Sequence, residues 1–159
     1  MTNSHTAVAF PMQAIGHVHS PVAHETDEGW GNVVSEIRLR DDLAAGLEGL
    51  ADFSHAVIIF LMHHASFDPA RHLLRAPRDR DDMPRTGIFA QRAKHRPNPI
   101  GITAVPILGA AHGLLRVRGL DAIDGTPVLD IKPYVPAFDA VEHPTVPEWM
   151  AHLMRGYFA

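Results

Sequence analysis

A chain of 159 residues, 46% of them hydrophobic, can bury the core of one domain and is too apolar to be disordered. It has no cysteine, which excludes disulfides, thiolate metal sites and thiol catalysis. Formal net charge is −4, yet residues 71–96 hold eight basic side chains against three acidic ones, so a segment of +5 sits on a body of −9, a distribution shared by an anionic-ligand site and by a solvated arginine-rich loop.

Residues 1–12 are polar and unpatterned, and are expected to be a flexible leader. They lack the basic-then-apolar plan of a signal peptide, so a cytoplasmic protein is expected. Gln13–Ser20 alternates as a strand, with His17 and His19 on one face. A metal hydrolase would need those two with His55, but half-exposed strand histidines explain the pattern more simply, and no metal is expected. Residues 22–32 form an acidic loop with Glu25, Asp27, Glu28, Gly29 and Trp30, whose indole would either lie on a ligand or bury. Val33–Leu39 alternates again and reads as a second strand.

Acidic residues open the stretch Asp41–Leu50, and Leu43, Leu47 and Leu50 have helical spacing, which predicts a short helix ended near Gly49. Ser54–His64 is a core strand whose apolar run, AVIIFLM, is far short of a membrane span. Adjacent strand residues face opposite ways, so at most one of His63 and His64 should reach a given pocket. Residues 65–85 are long, irregular and rich in Arg, Asp and Pro, a length that inside a compact domain signals function or mobility.

Gly87–Thr103, GIFAQRAKHRPNPIGIT, is the densest chemistry in the chain. Pro97 and Pro99 fix φ and remove two donors, so Arg-Pro-Asn-Pro must be a stiff extended corner, flanked by strand-like GIFA and IGITAVPIL. Such a corner presents fixed groups with little ordering entropy lost on binding. Three more strands are predicted at Thr103–Leu108, Leu114–Leu120 and Pro127–Tyr134. Between the last two lies the turn Asp121–Thr126, with Gly125 placed for positive φ. In the tail, Trp149, Leu153 and Tyr157 recur at helical spacing, which suits a packed C-terminal helix or one docked on a second subunit.

The expected fold is therefore mainly β, a single-sheet antiparallel β-barrel over residues 13–138, with one short helix, long loops and a C-terminal helix in a tail at 139–159. No GxGxxG follows a strand and no phosphate loop is present, which argues against a Rossmann-type nucleotide site.

Four blocks, IGHVHSP (15–21), GLEGLADFSHAVIIFLMHH (46–64), GIFAQRAKHRPNPIGIT (87–103) and GLDAIDGTPVLDIKPYVP (119–136), together resemble the YaeB/TsaA-like family. That family includes the tRNA methyltransferase TrmO. The resemblance implies a YaeB-like barrel, S-adenosylmethionine as cofactor, a homodimer, and N6-methylation of threonylcarbamoyl-adenosine at position 37 of tRNA. The chain lacks the additional C-terminal region of the longer members, which leaves a binding module or sensor of the same fold as the alternative. Cofactor contacts carried over by motif are His63, His64, Arg92, Ile102, Arg118, Gly119, Leu120 and Asp121, with the region of Glu28 and Gly29. The cationic segment and corner supply the candidate RNA contacts Arg75, Arg78, Arg80, Lys94, Arg96 and Asn98. No general base is identifiable from these blocks.

Overall fold

The computed structural model describes residues 7–159. Six strands carry the fold: β1 (Gly16–His19), β2 (Val34–Leu39), β3 (His55–Leu61), β6 (Ile100–Ala111), β7 (Leu114–Arg118) and β8 (Pro127–Pro133). They close an antiparallel barrel in the order β1-β2-β7-β6-β3-β8. Closure is made by β1 against β8, where Gly16 faces Val128. A small ribbon of β4 (Leu74–Arg75) and β5 (Thr86–Gly87) lies outside it, preceded by the one-turn helix α1 (Pro69–His72). Two short helices, α2 (Pro136–Asp139) and α3 (Glu148–Leu153), follow the barrel. The expectation of a mainly β, antiparallel barrel with a C-terminal helix is met. Part of the leader, residues 1–6, lies outside the described residues, and residues 7–12 have no regular structure.

Alternation along each strand explains the core. Val18, Ile37, Ile58, Val105, Leu115 and Val117 point inward and are fully buried. Gly101 on β6 faces Phe60 on β3, and a Cβ there would lie 2.3 Å from the phenyl ring, so that ring fills the space a side chain would need. Register shifts at Ile59/Phe60 and Ile107/Gly109 bend the two long strands enough to close so small a barrel.

Two local expectations change. The predicted helix at 41–50 is a pair of 3-10 segments, Asp41–Leu47 and Leu50–Asp52, separated by Gly49 at φ +79°. Two glycines within so short a stretch leave too few residues to propagate an α-helix. Leu47 and Leu50 nevertheless bury onto the core. Of GIFA only Gly87 is strand, as the end of β5: Ile88–Ala90 makes one 3-10 turn that buries Ile88 and exposes Phe89.

Antiparallel pairing gathers at one barrel end the loop before β2, the β3–β6 connection and the loop between β7 and β8. These are the three segments richest in candidate functional residues.

Candidate active site

These loops wall an open cleft of about 1640 Å³. That exceeds the roughly 300–1,000 Å³ of a single small-molecule pocket, and so leaves room for two ligand parts side by side. The stiff corner forms one wall. It is irregular as expected, and the Pro99 carbonyl accepts from Met62 N at 2.7 Å, tying the corner to the end of β3.

His63 and His64 both line the cleft, which corrects the expectation that only one could. The reason is that β3 stops at Leu61. Residues 62–65 then turn, with Ala65 N donating to Met62 O at 2.9 Å, so strand alternation no longer applies. The two rings lie 4.2 Å apart, centroid to centroid. Burial, and then the neighbouring His64, lowers the His63 pKa. His95 also lines the cleft; its pKa is lowered chiefly by burial, and its ring stacks on buried His72 at 4.8 Å.

The loop after β5 and the start of β6 meet through Arg92, whose guanidinium donates to the Ile102 carbonyl. Asp121, just beyond β7, faces the same space. Its Oδ1 accepts from Thr103 Oγ1, and its Oδ2 accepts from the Tyr157 hydroxyl at 2.6 Å. His63, His64, Arg92, Ile102 and Asp121 thus converge from three separate segments on one cleft.

The remaining candidates divide. Arg118 ends β7 and Gly119 follows it, both outside the cleft lining, and Leu120 is fully buried in the core. Glu28 and Gly29 do not line the cleft either. Their loop reaches it through Glu25, Thr26, Asp27 and Trp30. Trp30 is 3% exposed and donates Nε1 to Thr26 O at 3.1 Å, so the indole holds the loop together. Glu25 pairs with Lys94 at 3.0 Å, and that hydrogen bond holds its carboxyl below the ordinary range.

Among the candidate RNA contacts, Arg75, Arg78, Lys94, Arg96 and Asn98 line the cleft and Arg80 does not. The arginines expected to meet phosphates are engaged elsewhere. Arg75 faces Asp79 at 3.4 Å, Arg78 faces Asp27 at 3.4 Å, and Arg80 grips Asp82 at 2.5 Å. Arg96 donates to the Gln91 carbonyl at 3.0 Å, bracing the corner. Exposed Arg71, also in the cleft, is a cation that the candidate set omitted.

Two further residues escaped sequence reasoning. Gln91 is buried and donates Nε2 to Arg75 O at 2.8 Å and to Thr86 O at 3.0 Å, which locks the 75–92 region; it stands beside Arg92, but nothing in its type announces that role. In the sequence Tyr157 reads only as part of an apolar stripe. His17, His19 and His55 do not assemble, and among the described residues no group of three His, Asp or Glu side chains is arranged to hold a metal ion. Among them also, no helix is long and apolar enough to cross a membrane.

The family described as the tRNA-methyltransferase O N-terminal domain matches residues 22–140. An S-adenosyl-L-methionine-binding protein of Archaeoglobus fulgidus is 38% identical over 134 residues, covering 82% of this chain and 93% of that protein. A tRNA (adenine(37)-N6)-methyltransferase of Mus musculus is 39% identical over 100 residues, 63% of this chain but 23% of the mouse protein. The crystal structure of TrmO from Pseudomonas aeruginosa superposes with a TM-score of 0.69 at 34% identity, covering 87% of this chain and 62% of that one. The chain therefore spans less than two thirds of the Pseudomonas protein and about a quarter of the mouse one.

Proposed function

The chain belongs to the tRNA-methyltransferase O family, and from that premise we propose that it is an S-adenosylmethionine-dependent methyltransferase acting on N6 of adenosine 37 in tRNA, with the threonylcarbamoylated base as its substrate. One observation carries the reading: His63, His64, Arg92, Ile102 and Asp121 converge on one cleft large enough for a cofactor and a nucleotide. The residues suit that cofactor chemically. Asp121 presents a carboxylate to hydroxyl or ammonium donors, the Arg92 guanidinium suits a carboxylate, and Met62, Ile102 and Ala122 supply apolar surface for a purine. The cofactor, when bound, supplies an electrophilic methyl group on a sulfonium.

An exocyclic adenine amine is a weak nucleophile because its lone pair is delocalised into the ring, so the protein's task is chiefly in-line positioning. The Pro97–Pro99 corner and the Gln91 lock provide rigid walls for that purpose. Once the N–C bond forms, the amine must lose a proton. Burial keeps His63 and His95 neutral at pH values where an ordinary imidazole would begin to charge, so each offers a lone pair to that proton. Arg71, exposed at the cleft, supplies positive charge for an RNA backbone.

The test is transfer of labelled methyl from S-adenosylmethionine to tRNA, with and without the threonylcarbamoyl group, followed by digestion to nucleosides. Label on N6-methylated threonylcarbamoyl-adenosine is the expected result. A second reading is a cofactor-binding module without RNA chemistry. It is favoured by the likeness to the Archaeoglobus S-adenosyl-L-methionine-binding protein, 38% identical over 134 residues. Cofactor binding with no transfer to either tRNA would select it.

A further inference from the structure

The family match ends at residue 140, yet the chain beyond it returns to the cleft and reaches Asp121. The return is firmly made. Gly29 N donates to Gly156 O at 3.2 Å and Trp30 N to Tyr157 O at 3.0 Å, so the 22–32 loop and the tail pair through their backbones. Gly31 is so close that a Cβ would fall 1.8 Å from the Phe158 carbonyl oxygen. Helix α3 buries Leu153, and His152 lies 3.1 Å from Arg80 and 3.4 Å from Asp82. At the end of this strap the Tyr157 ring lies under the Arg78 guanidinium, 5.9 Å from ring centroid to Cζ. Its hydroxyl donates to Asp121 Oδ2 at 2.6 Å while Thr103 holds Oδ1.

An ionised carboxylate has about four acceptor positions, so two donors from the protein leave two for a ligand. A carboxylate held at both oxygens cannot rotate away, and a ligand that binds it loses less freedom in doing so. We propose that Tyr157 is a positioning residue for the cofactor: with Thr103 it clamps Asp121 so that the free acceptor positions face the hydroxyl or ammonium groups of S-adenosylmethionine, which makes the tail a wall of that cofactor's pocket. The proposal rests on the cofactor reading given above. Burial and the adjacent Asp121 raise the Tyr157 phenol, which keeps it a donor throughout the physiological range.

Calorimetric titration with S-adenosylhomocysteine, on protein whose fold is checked by circular dichroism, separates the possibilities. Tyr157→Phe is expected to weaken binding about tenfold, the scale of one hydrogen bond to a charged group. Asp121→Asn is expected to weaken it at least as much, and Tyr157→Phe added to Asp121→Asn should change nothing further, because the tyrosine acts only through that carboxylate. Unchanged affinity in Tyr157→Phe, or losses that add in the double variant, would overturn the proposal while leaving the cofactor reading standing. Tighter binding in Tyr157→Phe would also overturn it, since the hydroxyl would then occupy the ligand's place. Absence of binding to the unaltered protein would remove both.

Discussion

At the scale of single residues, Arg92 combines two contacts. It ties the stiff corner to β6 through the Ile102 carbonyl and directs the rest of its guanidinium to the cleft. Arg92→Ala should weaken cofactor binding by about tenfold or more, as expected for loss of a charge-assisted bond. Arg92→Lys should rescue little, since an ammonium has no planar fork to serve both partners. Titration calorimetry reads both, and full affinity in Arg92→Ala would place the residue outside the cofactor site. The Glu25–Lys94 pair makes a different prediction. Its carboxyl titrates below the ordinary 4.5 when folded, so the stabilisation is present above that pH and disappears as pH falls through the folded value. Both side chains are partly exposed, which limits the effect to a few tenths of a kcal/mol. Glu25→Gln should therefore melt about 1–2 °C lower at pH 7, and the difference should vanish well below pH 4.5 and shrink in high salt. Arg92 and Asp121 were readable in the sequence because their motifs are dense and specific. Glu25 and Tyr157 were not, since each gets its role from a partner far along the chain, Lys94 in one case and Asp121 in the other.

Elements show the same division between local and long-range information. All six barrel strands were visible because a strand with one buried face must alternate, and the core run of β3 was visible as unbroken apolarity. The 3-10 character of 41–52 was less so, because helical leucine spacing does not distinguish 3.0 from 3.6 residues per turn over so few residues. The turn that swings both His63 and His64 into the cleft depends on where β3 loses its partners, which composition does not record. Docking of the tail depends on Gly31, where the backbone of Phe158 leaves no room for a side chain. Forcing a methyl into such a contact costs about 1–3 kcal/mol, unless the tail lifts off for less. Gly31→Ala should accordingly leave the barrel folded while residues 148–159 become the first site of limited proteolysis, with cofactor affinity falling alongside. A tail that stays protected would show that α3 holds without the pairing at 29–31.

For the whole molecule, charge and apolar surface decide which partners are possible. If tRNA binds, its affinity should fall with salt by about 0.7–0.9 logarithmic units per phosphate neutralised. The paired arginines 75, 78 and 80 are poor candidates for those contacts, because each already faces a carboxylate and two of them brace the tail. Arg71 and Arg85 are exposed, and replacing both with alanine should flatten the salt slope while cofactor titration stays unchanged. An unaltered slope would move the RNA to another face. We also expect a homodimer, for which Phe89 and Phe138, 78% and 88% exposed, offer apolar surface. Sedimentation at micromolar concentration should give twice the chain mass, and a monomer there would end that expectation.

The seam of the barrel has a consequence for how the protein is made. Gly16 on β1 meets Val128 on β8, so strands from near the two extremes of the domain must find each other before the cylinder exists. On a ribosome, β1 and β2 emerge early and must wait, with both outer edges unpaired, until β7 and β8 have been synthesised. Pairings of such high sequence separation form slowly, and an open β edge in the meantime invites association with other chains. The brevity of β1, four residues ended by Ser20-Pro21, limits that hazard by keeping the waiting edge short.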